Sequence, residues 1–122
     1  MSVAQSYKEL LVWQKSMDLM IEIYGLVKFL PKYETYGLSD QMRRAAVSIP
    51  SNIAEGYGRS SPAELIRFLY FARGSQCELE TQLQACILLK YLNESEIQSA
   101  LSLCEEIGKM LNSFIKKLKT SH

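Results

Sequence analysis

The chain has 122 residues, of which 48% are hydrophobic and 22% are charged, and its formal net charge is only +1. This length and composition are typical of a single globular domain, residues 1–122, that buries a core without disulfides or metal. No apolar run is long enough to span a bilayer, and the first residues, MSVAQSYKEL, lack the basic region and apolar stretch of a signal peptide, so we expect a cytoplasmic protein without a membrane partner. The small net charge makes no general electrostatic case for nucleic acid.

The first predicted helix carries two apolar stripes. We assign to the core a stripe in steps of three and four, formed by Trp13, Met17, Met20, Tyr24 and Val27. About 100° further around the helix lies a second stripe, formed by Leu19, Ile23, Leu26 and Leu30. One bundle core does not need this much apolar width, so the excess predicts a homo-oligomer, with a wide core stripe as the alternative.

The second predicted helix contains a proline. Its apolar stripe comprises Met42, Ala46, Ile49, Ile53 and Gly56. Inside a helix, Pro50 loses the hydrogen bond to the carbonyl of Ala46 and crowds that carbonyl, at a cost of about 3 kcal/mol. Because Ile49 and Ile53 stay in phase with the stripe, we predict one helix kinked at Pro50 and not two helices.

Two longer helices follow. Leu65, Leu69, Ala72, Gln76, Leu79, Leu83 and Cys86 mark the third, and Ile97, Leu101, Cys104, Gly108, Leu111, Ile115 and Leu118 mark the fourth. Ser39, Ser61 and Asn93 are the predicted caps of the second, third and fourth helices. No segment alternates with period two, so the fold class is all-α. Short connections favour an antiparallel up-down-up-down four-helix bundle over an extended coiled-coil hairpin.

Polar side chains lie beside the apolar stripes of the second and third helices. They predict a structural network of Gln41, Arg44, Asn52, Glu55, Arg67 and Glu78. In antiparallel helices the residue numbers of facing positions add up to a constant, which is about 120 for a turn around Arg59. This register predicts two interhelical salt bridges, Arg44 with Glu78 and Glu55 with Arg67.

The residues needed for common catalytic sites are missing. The only histidine is His122, the last residue, which argues against Ser-His, Cys-His and histidine-metal mechanisms. We therefore expect no enzyme activity, no catalytic residue, no metal and no cofactor. Three cysteines without a secretory signal favour free, buried and unreactive thiols.

Basic residues cluster in two stretches of the sequence. All five arginines fall between residues 43 and 73, and three lysines lie near the C-terminus. The candidates for phosphate contact are Arg43, Arg59, Arg73, Lys116, Lys117 and Lys119. The alternative for Arg59 is a glycine helix stop followed by a cap, and for the lysines a favourable interaction with the end of the helix dipole.

The strings RRAAVSIPSNIAEGYGR and SSPAELIRFLYFARGSQCELETQL, with YGLSDQ before them, carry a family resemblance. From about Leu10 to Tyr91, and more weakly over the fourth helix, the chain resembles the four-helix proteins encoded in intervening sequences of bacterial 23S rRNA genes. The resemblance implies a ring-like homopentamer with a central channel and an association with nucleic acid. A related branch, the accessory variability protein of diversity-generating retroelements, partners a reverse transcriptase and binds nucleic acid.

Two functions are compatible with these features. The first is a pentamer that binds RNA or DNA through the basic residues named above, and its affinity would fall with salt because phosphate contacts release counterions. The second is a structural or adaptor bundle that binds another protein and has no nucleic-acid role. We favour the first, on the strength of the resemblance.

Overall fold

The computed structural model describes residues 6–121, so His122 lies outside the described residues. Within that range the chain is helical and has no strand. Four helices account for most of it: α1 (Leu11–Val27), α2 (Leu38–Tyr57), α3 (Pro62–Leu88) and α4 (Glu94–Thr120). Short 3-10 turns lie at Tyr7–Glu9 and Lys32–Glu34. The predicted all-α, four-helix fold is confirmed.

Local side-chain caps begin the two long helices, as the sequence predicts. The Ser61 hydroxyl accepts a hydrogen bond from the Glu64 amide at 3.1 Å at the start of α3. At the start of α4, the Asn93 side chain accepts from the Glu96 amide and the Glu96 carboxylate accepts from the Asn93 amide, both at 2.9 Å. Each cap satisfies amides that would otherwise lack a helical partner, and such a cap contributes about 1 kcal/mol.

The start of α2 differs from its prediction, because Ser39 is not its cap. The helix begins at Leu38, two residues before the start that a Ser39 cap would give, and its N-cap is Gly37. The carboxylate of Glu34 accepts the Leu38 amide at 3.0 Å and the Tyr91 hydroxyl at 2.8 Å. These two hydrogen bonds, the first the stronger influence, lower the pKa of Glu34. A 3-10 turn thus delivers a capping carboxylate from outside the helix, which a search for a local serine cap cannot detect.

The four helices form a square in which each contacts two others. α1 packs against α2 and α4, α3 packs against α2 and α4, and among the described residues the diagonal pairs bring no Cα atoms within 8 Å of each other. Between α2 and α3, Met42 contacts Cys86 and Ser48 contacts Ser75, so residue numbers rise along one helix as they fall along the other. This is the pattern of antiparallel neighbours and is compatible with the predicted up-down-up-down order.

The two stripes of α1 share the core, and the second stripe is the more deeply buried. Leu19 and Ile23 are completely buried and Leu30 is nearly so. Of the predicted core stripe, Val27 is buried, Trp13 and Met20 pack against the core while half-buried, and Tyr24 is 43% exposed. The stripe assigned to an oligomer interface therefore belongs to the core of the single chain. Both stripes have helical spacing and similar apolarity, so only the position of the neighbouring helices decides which one is buried more deeply.

Pro50 lies inside α2 and is buried, and the helix runs without interruption from Leu38 to Tyr57. The stripe that passes through it is confirmed as core, since Met42, Ala46, Ile49 and Ile53 are all fully buried. The kink at Pro50 stays a prediction.

The predicted salt bridge between Arg44 and Glu78 is not formed. Arg44 instead pairs with Asp40 one helical turn before it, at 3.0 Å, and its side chain is 80% exposed. The residue numbers of Arg44 and Glu78 add up to 122, close to the 123 of the contact between Ser48 and Ser75, so the register does not exclude the bridge. Both side chains are exposed, and a carboxylate on its own helix costs Arg44 less side-chain ordering to reach.

The second predicted bridge, between Glu55 and Arg67, is also replaced by local pairs. Glu55 binds Arg59 at 3.0 Å, and Arg67 binds Glu64 at 3.4 Å. Gln41 is exposed at the surface of α2. Three charged residues of the predicted network, Arg44, Glu55 and Arg67, therefore pair with residues three or four positions away in the sequence, and not across to the facing helix.

A polar contact does join α2 and α3, and it is formed near the middle of α2. Asn52 donates to the Ser48 carbonyl at 2.8 Å and to the Ser48 hydroxyl at 2.9 Å, and the Ser75 hydroxyl donates to the Ser48 hydroxyl at 2.8 Å. Small, half-buried side chains therefore link α2 to α3, where charged side chains were expected. Of the predicted network, Asn52 alone contributes to this link.

Candidate nucleic-acid interface

A groove between α3 and α4 gathers three of the six predicted basic residues. Arg73 from α3 and Lys116 and Lys119 from α4 line a cavity of about 450 Å³ together with Tyr70. The lysines lie in the last turns of α4, where cations interact favourably with the carbonyl end of the helix dipole. Because α4 runs back along α3, its basic end lies beside the first half of α3. The groove thus combines cations from residues more than 40 positions apart.

Lys119 is held in place by Tyr70. Its ammonium group donates to the Tyr70 hydroxyl at 2.7 Å and lies 5.1 Å from the centre of the ring. Tyr70 is 41% exposed, so part of its side chain is available to solvent. A fixed cation beside an exposed aromatic ring can contact a phosphate and a base of the same nucleotide.

The groove continues along the two helices toward their middle. Arg73 and Asn112 also line the adjoining cavity of about 350 Å³, which Lys109 joins from α4. This second part is mixed in charge, since Glu80 and Glu105 line it too. The positive potential is therefore concentrated near the C-terminal end of α4.

The cations of the groove differ from the other arginines in their partners. Within residues 6–121, Arg73, Lys109 and Lys116 take part in no salt bridge, whereas each of the other four arginines has at least one carboxylate within 4 Å. An unpaired cation keeps its full charge for a ligand and does not have to break an existing pair to bind one.

Arg59 lies in the connection between α2 and α3 and not in the groove. Its guanidinium group binds Glu55 at 3.0 Å, lies 3.9 Å from Glu64 and stacks 4.8 Å from the centre of the Phe68 ring. Two carboxylates offset its charge. The structure therefore gives Arg59 a role in fixing the turn, which agrees with the alternative that the sequence left open.

Lys117 and Arg43 also lie apart from the groove. Lys117 is on the α1 side of α4, beside Leu10, Leu11 and Phe114. Arg43 is near the start of α2, where its guanidinium donates to the Thr35 carbonyl at 3.1 Å. The six basic residues thus occupy four separate places on the molecule, and they do not form one patch.

Two residues of the groove were not identified from the sequence as ligand contacts. Neither Tyr70 nor Lys109 is among the candidates for phosphate contact that the sequence suggests. A signal was present, because Lys109, Asn112 and Lys116 are spaced by three and four and so share a face of α4. Which face that is becomes clear only when α3 is placed beside it.

The cysteines divide into two buried thiols and one exposed thiol. Burial raises the pKa of Cys86 to about 11 and that of Cys104 to about 12, so both stay protonated and unreactive at neutral pH. Cys77 is exposed, which corrects the expectation that every thiol is buried. No group of side chains among residues 6–121 could hold a metal ion, and no helix there is long and apolar enough to cross a membrane.

Comparison with known proteins gives one family. The family model described as 23S rRNA-intervening sequence protein matches residues 8–113. The chain belongs to this family. A solved structure from Bacteroides thetaiotaomicron VPI-5482, described as a protein with unknown function from the S23 ribosomal protein family, is 32% identical with a TM-score of 0.81, and the match covers 87% of this chain and 99% of that chain. A search of curated proteins finds no match.

The extent of the family match divides the groove into two parts. Arg73, Lys109 and Asn112 lie inside the range that the 23S rRNA-intervening sequence protein model covers, and Lys116 and Lys119 lie beyond its end at residue 113. The match also extends well into α4, further than the resemblance alone indicated.

Proposed function

We propose that this protein binds RNA through the α3–α4 groove, in the cytoplasm, as a binding protein without catalytic activity. The observation that carries the proposal is that Arg73, Lys109 and Lys116, which form no salt bridge with described residues, line one groove beside the exposed ring of Tyr70. Membership of a family named for sequences within 23S rRNA genes supports RNA as the ligand. Cations would contact phosphates and Tyr70 would stack on a base.

Binding would depend on the local arrangement of charge and not on the net charge of +1. Most arginines are offset by neighbouring carboxylates, whereas three cations of the groove form no salt bridge with described residues. Each phosphate contact releases a condensed counterion, so the affinity would fall as salt rises. A groove with about three unpaired cations predicts a shallow salt slope of about −2 to −3.

Fluorescence anisotropy with a labelled structured RNA at low and moderate salt tests this proposal. Replacement of Arg73 or Lys116 by Gln should weaken binding about fivefold to tenfold and reduce the salt slope by about 1. Lys117→Gln is the matched control, because it makes the same charge change one position along α4 but on the α1 side. Its affinity should stay within about twofold of the unmodified protein.

Equal losses in Lys116→Gln and Lys117→Gln would contradict the groove as the site, since they would indicate a general charge effect. Absence of RNA binding even at low salt would contradict the function itself and favour the adaptor bundle that binds another protein.

We also propose that the protein is a homo-oligomer, with five subunits as the expected number. Large apolar side chains on α1 and just after it are exposed in the single chain: Ile21 is 65%, Tyr24 is 43% and Phe29 is 69% exposed. Clusters of such side chains on a soluble domain are typical of an interface. We therefore place the proposed subunit interface on this outer face of α1, because Leu19, Ile23 and Leu30 are buried in the core of the single chain.

Light scattering after size-exclusion chromatography measures the subunit number. Ile21→Glu places a charge in the proposed interface and should lower the mass toward that of one subunit. Because Ile21 is largely exposed, the far-ultraviolet circular dichroism of the variant should not change. A monomeric unmodified protein, or an Ile21→Glu variant of unchanged mass, would contradict this interface.

A further inference from the structure

A second basic cavity lies at the opposite end of the bundle from the lysines of α4. It is formed where α1 ends and α2 begins, and its volume is about 310 Å³. This volume is at the lower end of the range for small-molecule sites. The cavity is separate from the α3–α4 groove, and it shares Tyr24 with the exposed outer face of α1.

Three cations line this cavity and no carboxylate does. Lys28 and Lys32 come from the α1–α2 connection, and Arg43 comes from the second turn of α2. The nearest acidic partner of Arg43 is Asp40, at 3.8 Å, and Arg44 holds that carboxylate more closely, at 3.0 Å. Lys28 and Lys32 form no salt bridge with any residue from 6 to 121. The cavity therefore presents concentrated and largely uncompensated positive charge.

A largely buried serine lines the same cavity. Ser39 is only 4% exposed, and its hydroxyl forms no hydrogen bond with another described residue. Because this oxygen is not among the fully buried atoms without a partner, it is open to the cavity, where a ligand atom can reach it. This hydroxyl is the second, independent observation that points to a ligand in this cavity.

The backbone of the connection fixes the direction of one of the three cations. Arg43 donates to the Thr35 carbonyl at 3.1 Å, and the Thr35 hydroxyl donates to the Lys32 carbonyl at 2.7 Å. The Leu38 amide at the start of α2 is already accepted by Glu34, so it does not add to the site.

An apolar wall completes the cavity. Val27 and Leu30 are each 7% exposed, and Pro31 and the ring of Tyr24 lie beside them. A bare anion would leave this wall uncovered. An anion attached to an organic group would place its charge among the cations and its organic part against the wall.

We propose that this cavity binds a phosphate monoester. Lys28, Lys32 and Arg43 contact the phosphate, the Ser39 hydroxyl donates a hydrogen bond to it, and the organic group packs on Tyr24. The phosphate can belong to a free small molecule or to the terminal phosphate of a nucleic-acid strand, and the chemistry of recognition is the same for both. This site does not depend on RNA binding in the α3–α4 groove.

An NMR titration of the full chain with adenosine 5′-monophosphate tests the proposal, with adenosine and inorganic phosphate as separate probes. Saturable amide shifts should appear around Lys28, Lys32 and Ser39, with a dissociation constant of about 1 mM or below. Adenosine alone should give none of these shifts, and inorganic phosphate should give weaker ones. No saturation at about 10 mM of the monophosphate, or the same shifts with sodium chloride at equal ionic strength, would overturn the proposal.

Two variants and a matched control locate the site. Lys32→Gln and Ser39→Ala should each weaken binding of the monophosphate by at least about fivefold. Lys117→Gln removes a charge at the other end of the bundle, outside the cavity, and should have no effect. An equal loss in Lys117→Gln, or no loss in either cavity variant, would show that this cavity is not the site.

Two RNA oligonucleotides, identical except for a 5′-phosphate or a 5′-hydroxyl, distinguish the sources of the phosphate. Tighter binding of the phosphorylated strand that is lost in Lys32→Gln assigns the site to a strand end. Equal binding of both strands, with the monophosphate still bound, assigns it to a free monoester. The Lys116→Gln variant should keep the monophosphate site intact, so failure of the groove and failure of this cavity are separable.

Discussion

Basic residues near the first half of α3 are paired with carboxylates, whereas those in the groove between α3 and α4 form no salt bridge within residues 6–121. Arg67 binds Glu64 and Arg59 binds Glu55, so carboxylates three or four residues away offset the charge of these two arginines. Toward α4, Arg73 lies in a groove with Lys116 and has no carboxylate partner among the described residues. The comparison shows that the number of basic residues says little about binding. What matters is which cations local carboxylates leave uncompensated.

The two sides of α3, toward α2 and toward α4, also differ in how closely the helices approach. On the α2 side, Gly56 faces α3 so closely that an added Cβ would lie 2.7 Å from the Cβ of Phe68. On the α4 side, Gly108 leaves room for the buried side-chain amide of Gln76, 2.8 Å from the position of such a Cβ. The first contact is limited by atoms next to the backbone, and the second by the end of a flexible side chain. This difference predicts unequal tolerance of substitution.

The largest expected effect is that of Gly56→Ala. Because the Phe68 Cβ cannot move without its helix, α2 and α3 must separate, and the free energy of unfolding should fall by about 3 kcal/mol. Urea unfolding measures it. Gly74→Ala on the exposed side of α3 is the control, since an added Cβ meets nothing within 4 Å and should stabilise the protein by about 1 kcal/mol. A loss below about 1 kcal/mol in Gly56→Ala would show that the close approach is not rigid.

A smaller loss, of about 1.5 kcal/mol, is expected for Gly108→Ala. The methyl group displaces the Gln76 amide, which donates to Glu80 at 3.0 Å and is part of a residue only 4% exposed. In a Gln76→Ala background the same substitution should cost almost nothing, because the obstructing amide is gone. Unfolding of the four proteins of this double-mutant cycle measures the coupling. Strict additivity of the two changes would argue against the contact.

The two ends of α3 differ in backbone conformation. Its start is capped by Ser61, whereas Lys90 just beyond its end has a φ of 63°, a left-handed conformation that favours glycine. Lys90→Gly should therefore raise the free energy of unfolding by about 1 kcal/mol. Lys90→Ala is the control, since alanine carries the same Cβ and should give no such gain. Equal gains in both variants would point to the lost charge and not to the backbone.

The smallest effect is a pH dependence at Glu34, whose pKa is lowered by the hydrogen bonds of Leu38 and then Tyr91. A carboxyl group with a lowered pKa in the folded state stabilises the fold above its ordinary value of 4.5, and this contribution is lost as the pH falls through the lower folded value. The difference in Tm between the unmodified protein and Glu34→Gln should therefore be largest above pH 4.5 and shrink below it. Glu78→Gln, a change at an exposed carboxylate, should show no such trend.

The sequence predicted the helices well because each carries a strong local signal. The stripe from Met42 to Ile53, the capping box at Asn93 and the cap at Ser61 depend on residues within one or two turns of each other. The cap of α2 was missed because Glu34 reaches it from a separate turn, and that turn is itself held by Tyr91 from the α3–α4 connection.

The candidate groove was only partly predictable for the same reason. The sequence identified Arg73, Lys116 and Lys119 but grouped them with Arg59 and Lys117, which lie elsewhere. The sequence shows that the C-terminal end of α4 is basic. It does not show which residue of another helix lies beside each lysine, such as Tyr70 beside Lys119.

By itself the sequence determined the all-α class, the positions of four helices and the family, and it showed that the chain has a single histidine. Only the tertiary structure decided which stripe of α1 is more deeply buried, which arginines are neutralised and which cations share a groove with Tyr70. The physical reason is one of range. Helical periodicity and capping act between neighbours along the chain, but the rotation and register of packed helices depend on contacts between residues far apart in sequence.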